Sequence, residues 1–345
     1  MRKEQKMKKK IMAMLLTAAM MVTAFAGCGK TEKKAEEPKE TREEVAEQTE
    51  KAPVDVNIMA LKGPTAMGLV EMMENSDYNF SIAASVDEVS PKLLQGETDI
   101  AAIPANLASV LYNKTEGEIQ VLAINTLGVL YIVENGETIQ SVADLKGKTI
   151  YASGKGATPE YALNYILSSN GINPETDVTI EWKSEHSECV AALANGENSV
   201  AMLPQPFVTT AQAKNPQIRT ALDLTKEWDV LQTDEEKKSS MITGVVVARK
   251  EFVEENPEET QEFLEEYHTS VDYVNENVKD AAQLIEKYDI VPAAVAEKAL
   301  PACNIVCIDG EKMEEKLSGY LEVLKAQNPQ AVGGEVPNHD FYYIQ

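Results

Sequence analysis

Side chains able to do proton or nucleophile chemistry are thinly spread along this 345-residue chain. Asp87, Glu88, Glu185 and His186 supply the residue types of an acid–base set, and His186 lies near the Cys189 thiol. Nothing in their spacing orients a nucleophile against a base, so an enzyme stands only as the alternative. His186, His268 and His339 are isolated, and no Cys-x-x-Cys or His-Glu-x-x-His occurs. No metal or cofactor is therefore expected. Cys189, Cys303 and Cys307 read as buried, inert thiols. The richer chemistry is hydrogen bonding at four turns, Gly63-Pro64-Thr65-Ala66, Pro104-Ala105-Asn106, Ser153 through Thr158, and Pro204-Gln205-Pro206. Thr65 and Thr158 can donate from their hydroxyls, while Asn106 and Gln205 both donate and accept. Ser153 and Lys155 sit in the third turn, Thr126 is expected near all four, and Tyr151 or Trp182 can stack on a planar molecule. Each residue also has a structural reading. The threonines cap helices, Asn106 shapes a turn, and Trp182 ends an alternating strand that packs on a core.

The elements that must position these turns come in two copies. Leu93-Leu94-Gln95-Gly96-Glu97-Thr98-Asp99-Ile100-Ala101-Ala102-Ile103-Pro104 nearly repeats one hundred residues later, from Leu193 to Pro204. Each copy reads as a helix closed by glycine, a short buried strand and a proline-started turn. Around the first copy, 54–60 alternates as a strand, Ala66, Leu69, Val70 and Met73 keep helical spacing, and strands are expected at 80–86 and 100–103. A helix is expected from Pro91 to Gln95. Around the second copy, 148–152 is a strand, Thr158 is an N-cap with Pro159 at N1, and Val178, Ile180 and Trp182 alternate. This βαβ order predicts an α/β fold of two lobes, each a mainly parallel sheet flanked by helices. Segments 124–133 and 242–248 are expected to cross between the lobes as hinge strands. After the return the chain is helical from Asn256-Pro257 onward, with a late helix over Met313 to Leu324.

The front of the chain addresses it to a membrane. Six Lys or Arg precede an uncharged apolar stretch, 11–27, which ends in Phe25-Ala26-Gly27-Cys28. Residues 1–27 read as a signal peptide rather than a bilayer span. Residues 28–52 lack aromatics and read as a disordered, charged tether. The net charge of −24 includes that basic front, so the remainder is more acidic still. Nucleic acid is excluded as a partner on that balance.

Phe25-Ala26-Gly27-Cys28 resembles the lipobox of bacterial lipoproteins, which implies cleavage before Cys28 and lipidation of its thiol. The expected location is the extracytoplasmic face of a bacterial cell membrane, attached by lipid alone. Gly96-Glu97-Thr98-Asp99-Ile100-Ala101 and Ser141-Val142-Ala143-Asp144-Leu145-Lys146-Gly147-Lys148-Thr149-Ile150 carry a second likeness. Over roughly 54–330 the chain resembles the solute-binding proteins of ABC importers in the nitrate, sulfonate and taurine class, which includes thiamine-precursor binders. That resemblance implies a type II periplasmic-binding fold, with lobe I at 53–127 plus 244–345 and lobe II at 128–243. It also implies a small solute held between the lobes and delivery to ABC permease subunits, without turnover. Gly63, Pro64, Thr65, Pro104, Ala105, Asn106, Thr126, Tyr151, Ser153, Lys155, Thr158, Trp182, Pro204 and Gln205 are the expected ligand contacts. Only Arg219 and Arg249 occur in the folded region and neither is near a turn. Lys62 and Lys155 are nearer the turns, so an anion stays open through lysines and helix dipoles, but an uncharged or zwitterionic amine or nitrogen heterocycle is expected over a sulfonate. A receptor that never delivers cargo is the other rival.

Overall fold

The computed structural model describes residues 54–233 and 239–344. The expected signal peptide, Cys28 and the tether lie outside the described residues. Residues 55–345 form one compact unit. Its first strands and helices are β1 (Asn57–Leu61), α1 (Pro64–Met67), α2 (Val70–Asn75), β2 (Asn79–Ala83), α3 (Val86–Leu94), β3 (Ile100–Pro104), α4 (Ala105–Lys114) and β4 (Ile119–Leu127). Next come β5 (Leu130–Asn135), β6 (Thr149–Ser153), α5 (Thr158–Ser169), β7 (Thr179–Lys183), α6 (His186–Asn195), β8 (Ser199–Pro204), α7 (Phe207–Lys214), β9 (Arg219–Asp223) and α8 (Leu224–Leu231). The chain closes with β10 (Ile242–Arg249), α9 (Lys250–Glu255), α10 (Pro257–Glu276), α11 (Val278–Lys287), α12 (Ala293–Ala299), β11 (Ile305–Ile308) and α13 (Gly310–Gln327).

Two sheets result, in the orders β11-β4-β10-β3-β1-β2 and β7-β6-β8-β5-β9. The repeat explains their common plan. In the first sheet β2, β1 and β3 run parallel, and in the second β7, β6 and β8 do. The repeated strand, β3 or β8, then pairs antiparallel with a strand that begins just after the chain crosses between sheets. Pro104 lies opposite Gly244 and Pro204 opposite Leu130, so each proline ends its strand where no further ladder donor is needed. The sheets are thus α/β as expected but mixed. The parallel order covers the βαβ units, while β10 and β11 in one sheet and β5 in the other run against the rest, which makes every pairing of β10, β11 and β5 antiparallel.

Local differences from expectation have local causes. Helix α3 starts at Val86, behind an extended Ser85, and carries Pro91 inside rather than at its first turn. The N-cap of α5 is Ala157, which moves Thr158 to N1 and Pro159 to N2. Asn256 and Pro257 open α10 as the sequence predicts.

Both faces of the second sheet are covered. Leu130 and Ile132 of β5 join the main core, while Tyr131 and Val133 pack under α6 and α7 with Cys189, Val190 and Val208. The thiols of Cys189 and Cys303 are buried and free, and burial pushes the Cys303 thiol up to about 12. Glu134 at the end of β5 is wholly buried and pairs with Arg219 at 2.8 Å. Burial pushes its carboxyl up, but the Thr138 hydroxyl, the N–H groups of Ile139 and Thr138, and Arg219 outweigh that and hold it below its ordinary value. Arg249 is committed in the same way, at 2.8 Å from Asp99, whose other oxygen accepts from the Asn57 N–H. Among the described residues no helix is long and apolar enough to cross a membrane.

A depressed carboxyl stabilises the fold above its unfolded pKa, and that contribution is lost as pH falls through the folded value. Glu134→Gln should therefore lower the unfolding midpoint at pH 7, at the lower end of about 3–5 kcal/mol because Arg219 stays partly hydrated. It should also flatten the acid limb of the stability curve, as thermal melts between pH 3 and 7 would show.

Candidate functional site

At one edge of the first sheet, the carboxyl ends of β1 and β3 feed α1 and α4. Gly63 makes the first of these turns at φ +132°, a conformation that needs glycine. Pro64 takes N1, and the Thr65 hydroxyl donates back to the Leu61 carbonyl at 2.9 Å. Pro104 caps α4, so Ala105 and Asn106 open it, both buried. Asn106 donates from Nδ2 to the Ala331 carbonyl at 3.3 Å and accepts from the Thr158 hydroxyl at 3.4 Å. Thr158 stands on α5, beside the second sheet, so this buried contact joins elements of both sheets. Tyr131 of β5 makes another such contact, from its hydroxyl to the Ala302 carbonyl at 3.2 Å.

The strand β4 brings Asn125 and Thr126 to the same edge. Thr126 is opposite Gly244, with register shifts on either side of the glycine. A methyl built on Gly244 would sit 2.5 Å from Asn125 Oδ1 and 2.5 Å from Thr65 Cγ2. Glycine is what lets these side chains meet over the strand. Asn125 donates from Nδ2 to the Thr65 carbonyl at 3.4 Å.

At the second sheet, β6, β7 and β8 end side by side and lead to α5, α6 and α7. Ser153 is the last residue of β6, and its Oγ lies 2.5 Å from Nδ1 of His186, the first residue of α6. The imidazole leans on the ring of Phe207, the first residue of α7, with centroids 4.8 Å apart. Burial pushes the His186 pKa down to about 4, so the ring is neutral at pH 7. A neutral imidazole carries one N–H, so either tautomer leaves the pair one free donor, Nε2–H when Nδ1 accepts from Ser153 and the Ser153 hydroxyl when Nδ1–H donates to it. Pro204 ends β8. The Gln205 carboxamide is used locally, accepting from the Thr209 N–H at 3.3 Å and hydroxyl at 2.9 Å. Its backbone N–H donates to Val129 of the crossing at 3.0 Å.

The remaining expected contacts gather elsewhere. Trp182 and Lys155 line a surface groove of about 440 Å³ along the edge strand β7, with Glu160, Asn164 and Pro174. Tyr151 packs against the core under α6 and α7, its ring 5.2 Å from the Lys183 ammonium. Among the described residues Asp87 and Glu88 stand on α3, Glu185 and His186 begin α6, and no hydrogen bond joins the two pairs. No metal-holding group of His, Cys, Asp or Glu occurs among the described residues.

Sequence reasoning did not single out His186 or Phe207 as a contact, and took in Asn125 only within the crossing segment 124–133. The signal for His186 was present, because the hundred-residue offset maps it onto Val86, and both residues open the helix of their repeat.

Residues 71–298 match the protein family described as ABC transporter, phosphonate, periplasmic substrate-binding protein. A binding protein of Brucella abortus is 26% identical over 178 residues, 52% of this chain and 52% of its own. The chain thus spans about half the length of the curated relatives it matches. Among solved structures, an ABC transporter protein from Parabacteroides distasonis superposes with a TM-score of 0.71 at 22% identity, covering 84% of this chain and 98% of that one. The periplasmic aliphatic sulphonate binding protein of Escherichia coli gives 0.68 at 16% identity, covering 85% and 92%. A periplasmic nitrate-binding protein from Synechocystis gives 0.54 at 15%, covering 70% and 68%. These likenesses show a type II periplasmic-binding fold. The family match covers well over half of the sequence, and the chain belongs to the phosphonate-type periplasmic substrate-binding proteins of ABC transporters.

Proposed function

We propose that this chain is a lipoprotein, anchored through Cys28, that captures a small zwitterionic solute between two lobes and hands it to ABC permease subunits. Lobe I is 53–127 plus 244–345 and lobe II is 128–243, with the crossings between β4 and β5 and ahead of β10 acting as hinges. Solute that touches both lobes favours the shut form by its differential affinity. The observation that carries this reading is the Ser153–His186 pair, at the end of β6 and the start of α6. It presents one free neutral donor, imidazole N–H or serine hydroxyl, beside the starts of α5, α6 and α7, where backbone N–H groups lack helical partners. Such a wall suits a compact oxyanion head, in keeping with the phosphonate named for the family and the sulphonate named for one neighbour. Both arginines of the folded region are already paired with acids, so the head meets neutral donors. A balancing amine on the solute keeps its net charge near zero.

Calorimetry with taurine, 2-aminoethylphosphonate, nitrate and thiamine tests the solute class. Binding of an amine-bearing sulfonate or phosphonate is expected, weakened about tenfold or more by His186→Ala, the loss of roughly 1.4 kcal/mol. Binding of thiamine alone overturns the class, and turnover of any bound solute overturns the binding role. A second measurement concerns pH. An unfolded histidine takes up its proton near its ordinary value, whereas folded His186 does so at about 4. The unfolded state binds more protons between those values, so stability should fall as pH drops through that window. His186→Gln should flatten that part of the curve in thermal melts.

A further inference from the structure

Buried polar atoms without a partner gather where the chain passes between its sheets. Asn125 Oδ1, Thr126 Oγ1 and Thr243 Oγ1 lie on the two paired strands that lead to the crossings. Thr225 Oγ1, also without a partner, faces Gly128, and a methyl built there would sit 2.2 Å from it. Of these atoms only the Asn125 carbonyl oxygen can accept and never donate. Its orientation is set by its own amide, because Nδ2 donates to the Thr65 carbonyl and so turns Oδ1 over Gly244. Asn125 is 1% exposed, and a buried acceptor left unmade is costly. The register shifts around Gly244 open the ladder at this point, as bulges beside binding sites do.

We propose that Asn125 is a specificity-determining residue whose Oδ1 accepts a hydrogen bond from an N–H of the solute. This rests on the preceding reading, in which Ser153 and His186 take the oxyanion head from the other sheet. Thr65, Gly244 and Asn125 then form a cradle on the first sheet that selects for an amine at the far end of the cargo. Solutes of the same head and length but without nitrogen leave the acceptor unpaired, and the site discriminates against them.

The test compares two matched pairs by calorimetry, 2-aminoethylphosphonate against ethylphosphonate and taurine against ethanesulfonate. In the parent protein the amine-bearing member of the binding pair is expected to bind roughly 10- to 100-fold tighter, the worth of one hydrogen bond to a charged group. Asn125→Leu, similar in size, should abolish that preference, weakening the amine-bearing compound and tightening the amine-free one, which no longer leaves an acceptor unpaired. Asn125→Asp should move the two in opposite directions, tightening the ammonium compound and weakening the amine-free anion, a split that a purely structural role would not produce. Thermal melts report whether either variant is folded; if neither is, equal binding of both members by the parent overturns the inference and a preference for the amine supports it. Equal binding of both members, or a preference that survives Asn125→Leu, overturns the inference while the oxyanion reading stands. Failure of all four compounds to bind overturns both.

Discussion

Everything in this molecule depends on how β10 is zipped between β3 and β4. The strand returns from the second sheet and is hydrogen-bonded along both edges, by antiparallel ladders on each side. Backbone donors and acceptors in a sheet interior have no alternative partners, so the returning strand cannot slip without exposing a whole row of them. The outgoing link is shorter still, since only Gly128 and Val129 separate β4 from β5. Gln205 and Asn304 then tie that link from either side, through the Val129 and Gly128 carbonyls. The ends of all the parallel strands, and with them the polar side chains described above, take their positions from these two passages.

The polar groups at those ends share a character that the chain's composition hides. A protein with a net charge of −24 brings few formal charges to this region among its described residues. Arg219 and Arg249 are spent on Glu134 and Asp99, the histidine is kept neutral by burial, and what remains are hydroxyls, amides and helix starts. Such groups are oriented by their neighbours before any cargo arrives. Ser153 is held by His186, Thr65 by Leu61 and Gln205 by Thr209. Preorganised neutral dipoles avoid much of the desolvation cost that a buried cation would add.

Much of this was legible in the sequence because it was written locally. Alternating residues marked β1, β6 and β7, proline and glycine marked the turns, and the offset repeat announced two sheets on one plan. What escaped was set by contacts between distant residues. Asn125 and Gly244 are neighbours only because β4 and β10 pair, and no pattern near either position encodes that. Trp182 packs against the main core, as its alternating strand suggested, but that it also borders the outer groove follows from β7 falling at the sheet's edge. The N-cap of α5 slipped by one residue, to Ala157, and that single step turned Thr158 from a cap into a partner for Asn106.

That partnership has an energetic consequence. Asn106 and Thr158 are both buried, and at a contact length of 3.4 Å their hydrogen bond is a weak one that chiefly spares each group the cost of burial without a partner. What joins the elements of the two sheets more broadly is apolar, since the main core runs through both and Trp228 packs on Tyr320 with ring centroids 5.5 Å apart. Polar pairing at this point therefore sets where the two groups sit, while burial of apolar surface supplies the attraction.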